Sequence, residues 1–255
     1  MDNQKTQPKR VSIKVEPITT AEDLGRFFDI AASAFARQAK DNVWITLHPG
    51  WDTPEGRANA ISGNTKRWSA PTKDRNGYPN TIFLKATVSR VDEPGKEDIA
   101  GVAIWAQASM VEGYGDTPTN DIDKIMDVNA LYPGNLAEQE YARQLLRSFY
   151  ARRVEVANEI ASSSSPALMI LDLCAVDPAF QRLGVATELV RWGLDEAKRR
   201  GGLEATLEAS SMGRHVYKKL GFQQEGGELH FRVDQEFEPR DRPSVVFMRT
   251  GRPGL

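Results

Sequence analysis

Residues 167–187, with the sequence ALMILDLCAVDPAFQRLGVAT, decide the fold. Their first part, 167–176, is apolar except for Asp172, and such a run is typical of a central strand buried on both faces. Pro178 ends the run, because proline cannot donate to a β-ladder and restricts the residue before it. Apolar residues then recur at helical spacing over 183–197. The stretch therefore predicts a buried strand, a short loop and an amphipathic helix.

The joint between this strand and helix suits an anion. The first turn of a helix has backbone N–H groups without partners and carries the positive end of the helix dipole, so a phosphate can bind there. Gly184 lets a ligand approach the backbone closely, and Arg182 can add a charge-assisted hydrogen bond. An ordinary strand-to-helix turn with a surface arginine has the same short pattern, so spacing alone leaves both interpretations open.

Two motifs resemble the GNAT superfamily of acyl-CoA-dependent N-acetyltransferases. Residues 181–186, QRLGVA, are similar to its Q/R-x-x-G-x-G/A motif and follow a strand end, LCAVDP, at 173–178. Residues 210–222, SSMGRHVYKKLGF, resemble N-x-x-A-x-x-x-Y-x-x-x-G-F, which comes later in the family's order. The departures from the usual Asn, Ala and Gly of these motifs are Ser210, Gly213 and Ala186.

The resemblance implies an α/β GNAT fold: a mixed, mostly antiparallel twisted sheet flanked by helices, with a helical insertion before the central strand. It also implies acetyl-CoA as cofactor. The strand end would pair with the pantetheine arm, an amide near Cys174 would stabilise the oxyanion, and the helix start would hold the pyrophosphate. The cofactor-binding residues implied are Leu173, Cys174, Ala175, Val176, Gln181, Arg182, Leu183, Gly184, Val185, Ala186, Thr187, Ser210, Gly213 and Tyr217.

Two side chains are candidates for proton transfer. Tyr217 occupies the position of the tyrosine that in many family members protonates the leaving thiolate, and a phenol with a pKa of about 10 suits that role. A tyrosine that packs against cofactor or core is the alternative. Asp172 is the one charge in the buried strand, and alternation places it on the face of Cys174 and Val176. Burial would raise its pKa and make it a base; a hydrogen bond to a neighbouring loop is the alternative.

The remaining elements follow from periodicity and turn signals. Thr20 is the predicted N-cap of the first helix, and Gly101 is expected to mark a β-bulge. Residues 93–96 form the turn of a predicted hairpin. The predicted strands and helices outside the central stretch are strands 11–18, 81–88, 99–108, 203–209, 223–233 and 245–248, and helices 24–35 and 212–220.

Two long insertions are predicted in a single domain that spans 11–250, after a disordered tail at 1–10. Residues 37–80 read as irregular structure with one short helix from Pro54 toward Trp68, and their tryptophans indicate either packing or an acceptor-site lid. Residues 109–166 contain a long helix that begins at Asn135 with a capping box and ends near 161. Its arginines, expected on a solvated face, are Arg143, Arg147, Arg152 and Arg153.

Composition excludes several classes of protein. A net charge of −2 over 255 residues gives no reason to expect nucleic acid as a partner. One cysteine excludes an internal disulfide and is compatible with a reducing compartment. No apolar run reaches 18 residues, and no metal-ligand cluster or phosphate-binding G-x-x-x-x-G-K-S/T motif is present. We therefore expect a cytoplasmic protein, with the nucleus also open, and no membrane partner.

The resemblance thus implies an N-acetyltransferase that transfers acetyl from acetyl-CoA to a primary amine by direct attack in a ternary complex. The aromatic residues of 37–80 favour a small-molecule acceptor over a basic peptide. A non-catalytic acyl-CoA-binding module and a protein-interaction module of the same fold are the alternatives. The sequence leaves the acceptor, the acyl chain length and the oligomeric state open.

Overall fold

The computed structural model describes residues 12–89 and 95–251. The predicted tail at 1–10 and part of the predicted turn at 93–96 lie outside the described residues. The strands are β1 (Ile13–Pro17), β2 (Thr81–Ser89), β3 (Glu97–Ala108), β4 (Leu168–Val176), β5 (Glu204–Ser210), β6 (Gln223–Glu228) and β7 (Val245–Arg249). The α-helices are α1 (Asp23–Ala31), α2 (Asn42–Leu47), α3 (Pro54–Ser69), α4 (Val128–Leu131), α5 (Leu136–Ile160), α6 (Val185–Arg199) and α7 (Arg214–Lys219).

The strands form one mixed sheet in the order β1-β2-β3-β4-β5-β7-β6. All neighbouring strands are antiparallel except β4 and β5. The parallel pairing of β4 with β5 covers only three residue pairs, from Leu168–Glu204 to Ile170–Thr206. Beyond these pairs the two strands continue over 171–176 and 207–210 without pairing to each other. This opening, which we call the β4–β5 gap, splits the sheet toward the carboxyl ends of the two strands.

A β-bulge interrupts β4 beside the gap. Adjacent residues of β3 pair with Leu171 and Leu173, so Asp172 is left without an opposite residue. The side chains of Leu171 and Cys174 consequently lie on one face of the sheet, while Leu173 lies on the other. The prediction that Asp172 shares a face with Cys174 and Val176 is wrong, because simple alternation does not continue through a bulge.

Two hydrophobic layers cover the sheet. On one face α6 packs over β2, β3, β4 and β5, with Trp105, Leu171 and Leu189 fully or almost fully buried. On the other face α1 covers the middle of the sheet through Phe27 and Phe28. The end of α5 lies on the same side as α1, over the first half of β4. The β4–β5 gap is therefore open to two different helical layers.

Two glycines let α6 approach the sheet closely. A Cβ atom at Gly193 would lie 1.9 Å from the ring of Trp105, and one at Gly101 would lie 2.5 Å from Val185. A pairing shift between β2 and β3 makes Ala100, next to Gly101, the extra residue of a bulge. The predicted irregularity at Gly101 is therefore confirmed, and close packing against α6 is a second reason for glycine there.

The helices outside the central unit differ in part from the predictions. The first helix begins at Asp23 and has no side-chain cap, so Thr20 as N-cap is wrong. A π-helical segment, Ala32–Gln38, continues it. Residues 37–80 contain two helices rather than one, although α3 begins at Pro54 as predicted. None of the helices within 12–89 and 95–251 has the length and hydropathy to cross a membrane.

The long helix of the second insertion is confirmed. It runs over Leu136–Ile160, and the side chain of Asn135 accepts a hydrogen bond from the amide of Glu138 at 3.2 Å. A 3-10 turn, Ile122–Lys124, and the short helix α4 precede it. Because α5 packs against the start of β4, this insertion is part of the wall on one side of the β4–β5 gap.

Candidate active site

The predicted pantetheine-binding residues, 173–176, lie at the β4–β5 gap. One backbone edge of this segment pairs with β3, whereas the other edge faces the gap and does not pair with β5. Backbone N–H and C=O groups need partners, so an unpaired edge of this kind can accept an extended ligand as an additional strand. The structure therefore has an unpaired strand edge at the place where the resemblance implies the pantetheine arm.

The loop from β4 into α6 contains two residues with left-handed backbone conformation. Arg182 has a φ of 67° and Gly184 a φ of 97°. A positive φ is uncommon for arginine and is found most often where function requires it. Gly184 occupies the N-cap position of α6 and makes no side-chain hydrogen bond to the helix. The amides of the first turn are therefore available to an anion.

Side chains of α1 and of the π-helical segment that follows it hold this loop in place. Arg26 donates to Oδ2 of Asp177 at 2.6 Å. Gln38 and Gln181 exchange two side-chain hydrogen bonds of 3.0 and 2.7 Å. Arg182 is exposed beside them. The backbone is thus held in place while the guanidinium of Arg182 stays in solvent, where it can bind a phosphate.

These features fit coenzyme A. The uncapped start of α6 and Arg182 suit the pyrophosphate, and the unpaired edge of β4 suits the pantetheine arm. Ser210 ends β5 across the gap, and its carbonyl accepts from the amide of Gly213 at 3.1 Å. The structure therefore brings the residues predicted for cofactor binding to one end of the sheet.

Tyr217 lies on the α6 side of the gap. Its ring packs against the same hydrophobic cluster as Cys174, and it contacts Phe222 at 6.0 Å between ring centroids. A Cβ atom at Gly213 would lie 2.5 Å from the tyrosine ring, so the glycine that replaces the family's usual alanine leaves room for this ring position. Burial, and then the neighbouring thiol of Cys174, raise the pKa of Tyr217 well above 10. The phenol therefore stays protonated at neutral pH.

Cys174 is a partly buried thiol whose surroundings do not activate it as a nucleophile. Burial raises its pKa to about 12, so the thiolate is not populated at neutral pH. His48 lies elsewhere: its ring stacks on Trp44 at 4.1 Å, and burial lowers the pKa of His48. Its Nδ1 is 2.8 Å from the carbonyl of Trp44, so His48 makes a local hydrogen bond to the backbone of α2.

Four charged side chains meet on the opposite side of the gap, and we call them the charged cluster. Arg153 of α5 donates to Oδ1 of Asp172 at 2.9 Å and, through Nε, to Oε1 of Glu208 at 2.9 Å. A second bond joins Arg153 Nη2 to Glu208. Arg67 of α3 donates to Oδ2 of Asp172 at 2.9 Å. Arg153 thus connects β4 with β5 across the gap.

The charged cluster changes the expected chemistry of Asp172. Burial disfavours its charged form, but Arg67 and Arg153 outweigh burial and hold the pKa of Asp172 well below its ordinary value. The prediction of a raised pKa is therefore wrong. As long as both arginines are in place, Asp172 is a permanent anion and a poor base.

The sequence did not reveal the charged cluster. Arg153 lies four residues after Phe149 and three before Val156, so helical spacing puts it on the same face as these apolar residues. This spacing was the available signal that its side chain faces the sheet. Its side chain is only 9% exposed, so the solvated face predicted for it is wrong. Arg67 and Glu208 carried no local signal, because their contacts depend on the tertiary fold.

Known proteins share this architecture. A mosquito arylalkylamine N-acetyltransferase (like 5b) is 14% identical, covers 93% of this chain and 98% of its own, and has a TM-score of 0.56. Arylalkylamine N-acetyltransferase 2 from Aedes aegypti is 18% identical with the same coverage and a TM-score of 0.55. Drosophila melanogaster polyamine N-acetyltransferase is 12% identical, again with the same coverage, at a TM-score of 0.56.

The described strands form a mixed seven-stranded sheet that is flanked by helices and open between β4 and β5. This architecture is the GNAT fold. Residues 149–222 also match the family model described as the Acetyltransferase (GNAT) family. The resemblance to the GNAT superfamily predicted from the two motifs is therefore confirmed. No curated protein matches the chain in sequence.

Proposed function

We propose that this protein is an N-acetyltransferase that transfers acetyl from acetyl-CoA to a primary amine of a small molecule, by direct attack in a ternary complex. One observation carries the proposal: the uncapped start of α6 lies next to a sheet that is open between β4 and β5. A helix N-terminus for phosphates and an unpaired strand edge for pantetheine together match the shape and chemistry of coenzyme A.

The family match supports the reaction class. The matched segment, 149–222, contains the end of α5, the anion-binding loop and Tyr217. Proteins of the same fold include enzymes whose names refer to arylalkylamines and to the formation of N-acetylagmatine. Arylalkylamines and agmatine are small amines. We take a small amine as the acceptor class on this basis.

The proposed reaction requires one bond to form and one to break. The amine nitrogen attacks the thioester carbonyl, the C–N bond forms, and the C–S bond breaks with its electron pair leaving on sulfur. We propose that a backbone amide near Cys174, beside the β4 bulge, stabilises the oxyanion of the intermediate. An acceptor that binds as an ammonium ion loses two protons in total. One balances the proton that the thiolate receives, and the other goes to solvent.

Tyr217 is the proposed donor of the proton that the thiolate receives. Its pKa, raised by burial, keeps the phenol protonated until the thiolate forms. We expect Tyr217→Phe to lower kcat about 100-fold or more while the Kd for coenzyme A changes little. An unchanged kcat would assign the proton donation to water or to another group.

Binding of the cofactor is the first test of the proposal. Calorimetric titration with acetyl-CoA and coenzyme A, with ATP as a nucleotide control, should show binding that is specific for CoA. Gly184→Trp should abolish this binding, because a side chain there blocks the anion site and strains a φ of 97°.

Gly201→Trp is the matched control for Gly184→Trp. Gly201 has a similar φ of 102°, with open space around it, and follows the other end of α6. This variant should bind coenzyme A like the wild type. If the wild type binds no coenzyme A, the proposed function is wrong. If it binds coenzyme A but releases no thiol with any primary amine, the protein is a non-catalytic acyl-CoA-binding module.

A further inference from the structure

The charged cluster holds more negative than positive charge in its buried part. Asp172 and Glu208 have side-chain exposures of 15% and 2%, and they share one buried guanidinium, that of Arg153. Arg67 supplies the second positive charge, and its side chain is 43% exposed. A buried carboxylate in excess is costly, so the cluster requires a cation at the place that Arg67 occupies.

Arg67 is the loosely held member of the cluster. Within 12–89 and 95–251, its guanidinium makes one hydrogen bond, to Oδ2 of Asp172. Its helix, α3, has no buried residue, whereas Arg153 belongs to a helix with many. Because its side chain is half-exposed, Arg67 can turn out into solvent, and another cation can then take its place beside Asp172.

The place that Arg67 occupies suits a cationic ligand in a second way. The guanidinium carbon lies 6.0 Å from the ring centroid of Phe83, which is 2% exposed. An aromatic face beside a carboxylate attracts an alkylammonium through both charge and cation–π interaction. This place lies on the side of the sheet that α1 covers, opposite α6, and the proposed anion site lies at the start of α6.

We infer that Arg67 occupies the binding site of the acceptor, and that the acceptor is an alkylammonium ion. This ion displaces the guanidinium of Arg67 and takes over its ion pair with Asp172. This inference rests on the proposed function and names the binding site of its amine. Coenzyme A would enter from the α6 side of the gap and the ammonium from the α3 side. Acetylation converts the ammonium to a neutral amide, which no longer pairs with Asp172, so Arg67 returns and the product leaves.

The test measures binding of ammonium probes by calorimetry at fixed ionic strength, with coenzyme A present. The probes are n-butylammonium, 1,4-diaminobutane and 2-phenylethylammonium, and 1-butanol is the neutral control. Arg67→Gln removes the competing cation and should tighten the binding of the ammonium probes about fivefold. Asp172→Asn should abolish their binding. The affinity for 1-butanol should not respond to either substitution.

Arg57→Gln is the matched control, because Arg57 lies on the same helix in an exposed ion pair with Asp29. It should leave the affinity for every probe unchanged. If Arg67→Gln binds the ammonium probes equally well or more weakly than the wild type, the inference is overturned. Arg67 is half-exposed, so this variant should fold and give the answer even if Asp172→Asn does not fold. Titration of coenzyme A into the same samples separates the two proposals: normal coenzyme A binding with no Arg67 effect removes the inference alone.

Discussion

At the scale of single residues, two buried carboxylates depend on Arg153. Its guanidinium binds Asp172 and Glu208 across the gap and lies 4.2 Å from the ring centroid of Tyr150. Burial alone would lower the pKa of Arg153, but the charges of Glu208 and Asp172 raise it far above its ordinary value. The arginine is therefore charged at neutral pH.

We expect Arg153→Ala to reduce the free energy of unfolding by about 3–5 kcal/mol, because it leaves buried carboxylates without their partner. Urea unfolding at neutral pH measures this loss. Arg147→Ala on the same helix is the control, since Arg147 is exposed and its removal should change stability by less than about 0.5 kcal/mol. Equal, small effects of the two substitutions would mean that solvent reaches the cluster and compensates the carboxylates.

At the scale of elements, the position of α6 on the sheet determines where the proposed anion site lies. The helix contacts the sheet through Gly193, whose Cα leaves space for the indole of Trp105. Trp105 is fully buried and donates from Nε1 to the carbonyl of Leu189 at 3.3 Å. A side chain at 193 would push α6 away from β3 and would thereby move the N-terminus of α6 as well.

Gly193→Ala should therefore lower the free energy of unfolding by about 1–3 kcal/mol through overpacking, although alanine favours a helix. Gly63→Ala in α3 is the matched control, because a Cβ atom there meets nothing within 4 Å. It should raise stability by about 0.4–1 kcal/mol. Denaturant unfolding of both variants measures the difference, and a stabilising Gly193→Ala would show that α6 shifts freely on the sheet.

The sequence predicted the central elements well and the site only in part. The strand, loop and helix over 167–199 carry local signals, namely an apolar run, a proline and a helical stripe, so their bounds agree within one or two residues. The bulge at Asp172 carries none, because it depends on the register with β3. The bond from Arg67 to Asp172 joins residues 105 positions apart, so local periodicity has no access to it.

At the scale of the whole molecule, arginine–carboxylate pairs join the insertions to the sheet and to the last loop. Arg240, in the loop before β7, binds both carboxylate oxygens of Glu138 in α5 at 2.9 and 2.7 Å. The bonds to Arg240 hold the pKa of Glu138 below its ordinary value, although burial opposes this. The arginines of the cluster do the same for Asp172. Contacts with Arg152 lower the pKa of Glu159.

These lowered pKa values determine the sign of the acid response. A carboxylate whose pKa is lower in the folded state binds fewer protons there than in the unfolded chain. Its stabilising contribution is complete above the unfolded pKa, about 4, and is lost as the pH falls toward the folded pKa. We therefore expect the free energy of unfolding to begin to decline below about pH 6.5, because the lowered pKa of His48 acts with the same sign, and to fall more steeply from about pH 5 downward. Urea unfolding at a series of pH values measures the slope.

Arg240→Gln provides the internal check of this acid response. Without Arg240, the pKa of Glu138 returns toward its ordinary value, so the variant is less stable at pH 7 and loses less stability on acidification. The difference between variant and wild type should therefore shrink as the pH falls through about 4. Lys124→Gln is the control, because Lys124 is 71% exposed in a loose pair with Asp121 and should leave the slope unchanged. If the difference in the free energy of unfolding between Arg240→Gln and wild type stays constant to pH 3, Arg240 stabilises the fold by packing rather than by its charge. Its guanidinium carbon lies 4.2 Å from the ring centroid of Tyr141.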